Sequence, residues 1–494
     1  MAGNKQDFLS SFLEQAERHP QHPAVIHEGY ETSYSELESL SRRLAFNIAK
    51  VCKHPRVLIH LPQGVNAYAS MLGTAMAGGY YAPNNLSAPR EKQNHVASLF
   101  QPDVVVSTNK LAAEIQQLVP KACFIDVQSP SLDALETPLP PHDLIYVMFT
   151  SGSTGTPKGV MIPRTALSHY IAWALDSMDV RSEDRWSQHP NTAFDLSVLD
   201  IYGALCGGAT LFPLTGLKDK LMPAEAVKRH KLTIWNSVPS VIDLMIKARH
   251  VTTEHLQSLR LMTFCGEPLK RHHLEAIFSA CSDLIVHNTY GPTEATVSCT
   301  LLQLNRANFK DYCLYDCAIG DAIPGMTLEL KDIQDNKGEL IIAGPQVARG
   351  YWKATEKSAK VFRSLQVDNQ TMPAFFTGDY AEQIAGELYF RGRLDNQVKI
   401  HGNRVELDEI NQVIEKFGIP AVKTVLIEDV LHAFLEVSEN EVNIDKLCKE
   451  LSNKLMDYAI PKHYHFIERF PRNANDKIDI EALVEKVKCK SPVI

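Results

Sequence analysis

Leu144-Ile145-Tyr146-Val147-Met148-Phe149 runs directly into Thr150-Ser151-Gly152-Ser153-Thr154-Gly155-Thr156-Pro157-Lys158-Gly159, and the fold is read outward from this junction. A short apolar run bounded by turn residues reads as a buried strand. After the loop come Val160-Met161-Ile162 and a helical pattern from Arg164. A strand that empties into glycines and hydroxyls leaves backbone N–H groups without cross-strand partners. Those groups, with hydroxyl side chains beside them, suit the oxygens of a polyphosphate. A Walker A loop ends in Gly-Lys-Ser/Thr; Pro157 before Lys158 and Gly159 after it exclude that motif. On these residues alone an ordinary turn is an equal reading.

Toward the N-terminus, Ala24-Val25-Ile26, Arg56-Val57-Leu58-Ile59-His60-Leu61, Tyr80-Tyr81-Ala82-Pro83, Val104-Val105-Val106 and Cys123-Phe124-Ile125 read as strands. Residues 7–18 and 34–50 have helical apolar spacing, with Ser33 or Ser35 as N-cap and Glu36 and Glu38 in the first turn. This βαβα rhythm implies a mostly parallel sheet covered on both faces. Residues 65–83 are uncharged, but Asn66, Ser70, Thr74 and Gly78-Gly79 mark a buried helix running into a strand, not a membrane span.

Toward the C-terminus, Phe194-Asp195-Leu196-Ser197 enters the apolar run 198–205. An aspartate there is either a helix N-cap or a buried carboxylate needing a cation, for which a substrate ammonium would serve. Thr263-Phe264-Cys265-Gly266-Glu267 and Asn288-Thr289-Tyr290-Gly291-Pro292-Thr293-Glu294-Ala295-Thr296 each follow a strand-like run. Small and polar residues past strand ends are where open α/β sheets bind ligands. Tyr290 could stack on a base, and Glu294 could hold magnesium against phosphate oxygens. Residues 338–352 read as an antiparallel hairpin segment punctuated by Gly344-Pro345. Thr377-Gly378-Asp379 offers a carboxylate that could accept from both ribose hydroxyls, or a surface turn. Beyond Leu388-Tyr389-Phe390-Arg391-Gly392-Arg393-Leu394-Asp395 the elements shorten and become more charged, so a boundary is drawn at Asp395. That gives an N-terminal core, 1–394, and a small α+β domain, 395–494, with Lys477 on a tight turn near its end.

The bulk composition fits this reading. At 494 residues, 45% hydrophobic and 22% charged, the chain reads as a soluble globular protein of more than one domain. A net charge of −8 with scattered basic residues argues against a nucleic-acid or anionic-membrane binder. Met1-Ala2-Gly3-Asn4-Lys5-Gln6-Asp7 lacks an apolar signal region. The ten cysteines, without paired CxxC spacing, are expected as reduced thiols of a cytoplasmic protein.

Taken together, these stretches resemble the adenylate-forming superfamily, from about residue 10 to 485 and in the family's order. The glycine loop, Tyr290-Gly291-Pro292-Thr293-Glu294, Thr377-Gly378-Asp379, Gly392-Arg393-Leu394-Asp395 and the terminal lysine carry the resemblance. Phe194-Asp195-Leu196-Ser197 resembles the amino-acid-activating branch, and with Phe264-Cys265-Gly266-Glu267 the stand-alone D-alanine–carrier protein ligase group within it. The resemblance implies an α/β core of mostly parallel βα subdomains with a β-barrel-like segment, and a small mobile C-terminal domain. It implies an amino acid activated by MgATP as aminoacyl-AMP, then passed to the phosphopantetheine thiol of a carrier protein in trans.

The same resemblance assigns roles. Thr150, Ser151, Gly152, Ser153, Thr154, Gly155 and Lys158 would hold the β- and γ-phosphates. Thr293 and Glu294 would serve the α-phosphate and Mg²⁺. Asn288, Thr289, Tyr290 and Gly291 would bind the nucleotide, with Tyr290 flanking adenine, and Asp379 with Arg393 would hold the ribose. Lys477 would bridge the substrate carboxylate and α-phosphate; rotation about Asp395 would then present the Lys399 face. The pocket walls would be Leu196, Leu199, Asn236, Thr263, Cys265, Thr289, Val297 and Ser298, with Asp195 on the ammonium. No second charge is visible there, so a small neutral amino acid is expected: alanine of either hand, proline, serine or similar. Two positions depart from the family: Asp476 stands where a glycine is usual, and Asn84-Asn85 follow Pro83 where Pro-x-Asp is usual. The competing readings are an acyl- or aryl-CoA ligase and a non-catalytic binding homologue.

Overall fold

The computed structural model describes residues 7–152, 156–314, 316–400, 402–419, 421–472 and 478–488. The apolar runs build a six-stranded sheet in the order Cys123–Asp126, Val104–Ser107, Arg56–Ile59, Tyr80–Pro83, Leu144–Thr150, Lys158–Pro163. The first five pair in parallel. Val104–Ser107 and Tyr80–Pro83 are buried at every position, which is why they read as continuous apolar runs rather than alternating ones. The uncharged helix Val65–Met76 is buried from Ala67 to Met76. Helix Tyr34–Ala49 starts on Ser33 through a reciprocal cap: the Ser33 hydroxyl accepts from the Glu36 N–H, and the Glu36 carboxylate accepts from the Ser33 N–H. Of the two serines expected as caps, Ser33 is the one used.

A second sheet of nine strands is ordered Asp321–Ala322, Thr300–Leu304, Ile285–Asn288, Leu261–Phe264, Ile234–Ser237, Arg185–Gln188, Thr210–Pro213, Pro23–His27, Tyr30–Ser33. Its centre is parallel and its edges are antiparallel. The C-terminal ends of Ile234–Ser237, Leu261–Phe264 and Ile285–Asn288 therefore share one edge, with Asn236 beside Thr263 and Phe264 beside Asn288. Helix Leu196–Gly207, buried from Leu196 to Cys206, belongs to the main apolar core with Trp186, Ile234, Leu261 and Cys265.

Three expectations are corrected. The barrel-like segment is an open antiparallel sheet ordered Thr327–Gln334, Lys337–Ala343, Gln370–Ile384, Phe362–Val367, with Glu387–Arg393 also on Gln370–Ile384. Its edge strand Thr327–Gln334 is mostly exposed and carries Lys331 and Asp332; a charged, solvated edge resists the pairing that closure requires. Of residues 338–352, only the first half is strand, within Lys337–Ala343. Gly344, at φ +139°, then turns the chain where a Cβ would lie 2.7 Å from the Gly325 carbonyl oxygen, a conformation and a space open only to glycine. Finally, Cys313 and Cys317 form a disulfide, so the ten cysteines are not all thiols. An isolated antiparallel bridge brings their Cα atoms to 4.2 Å.

The chain packs as two compact units. One comprises Met1–Leu86, Val96–Phe149 and Lys158–Leu394; the other comprises Ser87–His95, Thr150–Pro157 and Asp395–Ile494. In the second, a hairpin of Gln397–Ile400 and Asn403–Glu406 precedes helix Leu407–Lys416 and a sheet of Val422–Ile427, Val430–Leu435 and His463–Phe466. Ile410, Ile414, Leu435, Leu447 and Leu451 give it a core of its own. Among the described residues no helix is long and apolar enough to cross a membrane.

Candidate active site

Asp379 lies within strand Gln370–Ile384, directly across from Arg393 on Glu387–Arg393, so antiparallel register alone makes them a pair. Arg393 Nη1 donates to Asp379 Oδ1 and its Nη2 to the Thr377 carbonyl at 3.0 Å. The Tyr290 hydroxyl donates to the other carboxylate oxygen. Asp379 is 2% exposed; the surface-turn reading is excluded. A carboxylate has about four acceptor positions, so two donors leave capacity for diol hydroxyls. Burial, then the negative charge of Asp379, pushes the Tyr290 phenol well above its ordinary value and keeps it a donor.

The loop carrying Tyr290 is held from beneath. Asn288 Nδ2 donates to the Ala318 carbonyl at 2.8 Å, the Thr289 hydroxyl to the Phe264 carbonyl at 3.0 Å, and the Tyr290 N–H to the Thr300 hydroxyl at 2.9 Å. At Gly291 a Cβ would meet Ser298 Cα at 2.5 Å, so the loop closes on itself only through glycine. Thr293–Ala295 is a 3₁₀ turn presenting Glu294, fully buried, whose Oε1 accepts from the Tyr351 hydroxyl at 2.7 Å. Thr296 and Val297 follow with φ of +57° and +70°. For a β-branched residue this is a strained backbone of the kind concentrated at functional sites.

The residues expected around the amino acid begin at the start of helix Leu196–Gly207. Asp195 occupies the N-cap position, yet its side chain makes no cap hydrogen bond. Its backbone is in the αR region, whereas capping side chains act from the β region. The half-buried carboxylate is therefore not spent on the helix end. Burial raises the phenols of Tyr146 and Tyr170, and the negative charge of Asp195 adds to both, at Tyr170 after that of Cys265. Ser298 donates to the Tyr170 hydroxyl at 3.2 Å, and the Cys265 thiol faces the Val297 carbonyl at 3.8 Å. Leu196, Leu199, Asn236, Thr263, Cys265, Thr289, Val297 and Ser298, the expected walls, are all buried. Asn236 Nδ2 donates to the Leu196 carbonyl at 3.3 Å and to Asp200 Oδ1 at 2.8 Å.

Sequence reasoning passed over four residues here. Asp200 is fully buried and accepts on Oδ1 from both Asn236 and Trp186 Nε1. Burial pushes its carboxyl well above the ordinary range. A charged residue inside the apolar run 198–205 was the available signal. Tyr146 and Tyr170 had none beyond being aromatic, because what surrounds a buried phenol depends on how separate elements pack. Tyr351 likewise reaches Glu294 from a distant loop.

In the glycine loop, Gly152 is buried and the Ser151 hydroxyl donates to the Arg404 carbonyl. Lys158 begins strand Lys158–Pro163, partly exposed. Ser153, Thr154, Gly155 and Lys477 lie outside the described residues. Lys399 lies on Gln397–Ile400, across from Arg404. Asp395 sits in the bend before it, its Oδ1 accepting from the Gln397 N–H at 3.2 Å. A cleft of about 1030 Å³ lined by Asp7, Leu13, Pro140, Arg164 and His169 shares no residue with this site.

Residues 12–352 match the family model of the AMP-binding enzymes. The chain is 30% identical to the D-alanine–D-alanyl carrier protein ligase of Staphylococcus aureus (strain MRSA252), over 97% of this chain and 99% of that protein. The Vibrio cholerae adenylation domain AlmE, solved in complex with glycyl-adenosine-5'-phosphate, is similar with a TM-score of 0.83 at 26% identity, covering 98% of each chain. The o-succinylbenzoate CoA synthetase (MenE) of Bacillus subtilis shares the fold, with a TM-score of 0.80 at 19% identity over 96% of this chain and 98% of that one.

Proposed function

The chain belongs to the AMP-binding enzymes, the adenylate-forming superfamily, and from that membership we propose that it activates a small neutral amino acid with ATP and transfers it to a carrier-protein thiol. The observation that carries the reading is Asp195, a half-buried carboxylate that takes no part in capping its own helix. A full-length relative is a carrier protein ligase and a solved neighbour binds an aminoacyl adenylate, which supports the same reading.

In the first half-reaction the amino-acid carboxylate attacks the α-phosphorus of ATP. The bond to the bridging oxygen breaks, and pyrophosphate leaves with the electron pair. Asp195 holds the substrate ammonium, Asp379 and Arg393 the ribose, and Tyr290 lies against the adenine. Thr150, Ser151, Gly152 and Lys158, with Ser153 to Gly155, receive the β- and γ-phosphates. Lys477 offsets the charge that builds as two anions meet. The donor set at Glu294 and Thr293 fits magnesium, which is held by one or two carboxylates plus substrate phosphates; when bound, Mg²⁺ screens the phosphate oxygens. In the second half-reaction the carrier thiol attacks the acyl carbon and AMP leaves, after the small domain turns about Asp395 to present Lys399.

Pyrophosphate exchange tests this. A panel of amino acids, both enantiomers and glycine included, is compared with fatty and aryl acids. Amino-acid-dependent exchange that disappears in Asp195→Ala is the expected result; exchange with fatty or aryl acids alone would make the chain a CoA ligase of the same fold.

A further inference from the structure

We propose that Glu225, His250 and His255 form a binding site for a divalent transition-metal ion of the Zn²⁺ class, sharing no residue with the adenylating site. Glu225 stands on helix Pro223–His230, His250 in the turn that follows helix Ser240–Lys247, and His255 on the short helix Thr253–Leu256. Donor atoms of the three side chains all lie within 4.8 Å of one another, and His255 Nε2 is already 3.0 Å from Glu225 Oε1. Ligands held at about 2.0–2.1 Å in a tetrahedral shell stand about 3.4 Å apart, so side-chain rotation alone closes the set. Two imidazoles and a carboxylate are donor types that Zn²⁺ takes, with a fourth position for water.

The backbone fixes this arrangement in advance. The His250 N–H donates to the Met245 carbonyl at 2.9 Å, the Thr252 N–H to the His250 carbonyl at 3.0 Å, and the His255 N–H to the Thr252 carbonyl at 3.1 Å. Met245, Leu256 and Val227 are buried in one apolar core, which ties the turn to the helix that carries Glu225. The rings of His250 and His255 stack with centroids 4.5 Å apart. His250 Nδ1 is buried without a hydrogen-bond partner, so no bond at that atom opposes the turn of the ring onto an ion. Glu225 keeps 34% of its side chain in solvent, which gives the ion a path to the donors. Lys228 acts on the Glu225 carboxylate, but it is paired with Glu254 at 2.5 Å, which offsets its charge.

Tautomer chemistry separates this cluster from a second one. His255 Nδ1 lies 2.8 Å from the Thr252 hydroxyl, a group that both donates and accepts. When the hydroxyl accepts, the imidazole proton sits on Nδ1 and the Nε2 lone pair is open to a metal, the arrangement in which histidine ligands are held. Loading the ion thus moves one proton across a ring and rotates one hydroxyl. Asp243, His272 and His273 are also close together. There, however, His273 Nδ1 accepts from the Lys270 N–H at 3.2 Å, a donor that cannot reverse. It commits the proton to Nε2, the atom that faces Asp243.

The test is Zn²⁺ titration of the EDTA-stripped full chain without nucleotide, with Co²⁺ as a spectroscopic probe. One ion per chain is expected at this site. Glu225→Gln and His250→Gln should each weaken Zn²⁺ binding by about tenfold or more, and so should Thr252→Val, which removes the hydroxyl behind His255. Zn²⁺ should raise Tm in the wild type and not in Glu225→Gln. The two glutamine variants change partly exposed side chains, and amino-acid-dependent pyrophosphate exchange by each reports that it is folded. Co²⁺ should give the d–d bands of nitrogen and oxygen ligands. A thiolate-to-cobalt charge-transfer band would assign the ion to cysteines and overturn the proposal. Zn²⁺ affinity unchanged in the three variants, or lost instead in His272→Ala, would also overturn it.

Discussion

Asp200 is a fully buried carboxyl on helix Leu196–Gly207. In the unfolded chain its carboxyl titrates near about 4; in the fold burial raises it well above that. Between the two values the folded state holds a proton that the unfolded state has released, so stability falls as pH rises, by at most about 1.4 kcal/mol per pH unit. Asp200→Asn keeps an acceptor for Asn236 and Trp186 and removes the titration. In urea denaturation the variant should gain steadily on the wild type as pH rises above the unfolded carboxyl's value, and a difference independent of pH would mean that Asp200 is already ionised in the fold. Tyr290→Phe, at the other end of the site, deletes one donor to a buried carboxylate. A loss of about 1–3 kcal/mol in stability is expected, together with a raised KM for ATP and a nearly constant KM for the amino acid. A change confined to the amino acid would contradict the assignment of Asp379 to the nucleotide.

At the level of elements, helix Leu196–Gly207 meets strand Arg185–Gln188 through one close approach. A Cβ on Gly203 would lie 2.7 Å from the Trp186 ring, and that ring is fully buried with its Nε1 bonded to Asp200. Alanine favours a helix interior over glycine by about 1 kcal/mol, whereas forcing a carbon into a packed core costs about 1–3 kcal/mol. Packing wins, so Gly203→Ala should lower Tm despite its better propensity; a raised Tm would mean that Trp186 yields freely. Gly291→Ala pits a Cβ against backbone atoms, Ser298 Cα and the Val297 carbonyl, which cannot rotate away. It should depress ATP-dependent exchange for every amino acid alike. Strands such as Tyr80–Pro83 and Val104–Ser107 were legible because burial on both faces writes an unbroken apolar run. The loop past Ala343 was not, because glycine and proline announce a break without saying which partner follows.

For the molecule as a whole, the chain divides into two packing units, the last segment of the second beginning at Asp395, where the proposed hinge can be tested. Proline fixes φ, so Asp395→Pro should retain amino-acid-dependent pyrophosphate exchange while thioester formation on a phosphopantetheinylated carrier falls about tenfold or more. Equal loss of both would count against a hinge there. The resemblance of motifs carried the family and the two-step chemistry, because a phosphate loop, a ribose carboxylate and an ammonium anchor each need particular residue types in a particular order. Sequence by itself therefore determined the α/β class, the family and the order of the elements, and it named the residues proposed for the substrates. Tertiary structure alone decided that the expected barrel stays open, that Cys313 meets Cys317, and that Tyr351 reaches Glu294. It also decided that Asn236 and Thr263 share a face, each with a polar atom that no described residue satisfies. The physical reason is that hydrogen-bond satisfaction depends on register and packing between segments far apart in the chain, and no local pattern encodes either.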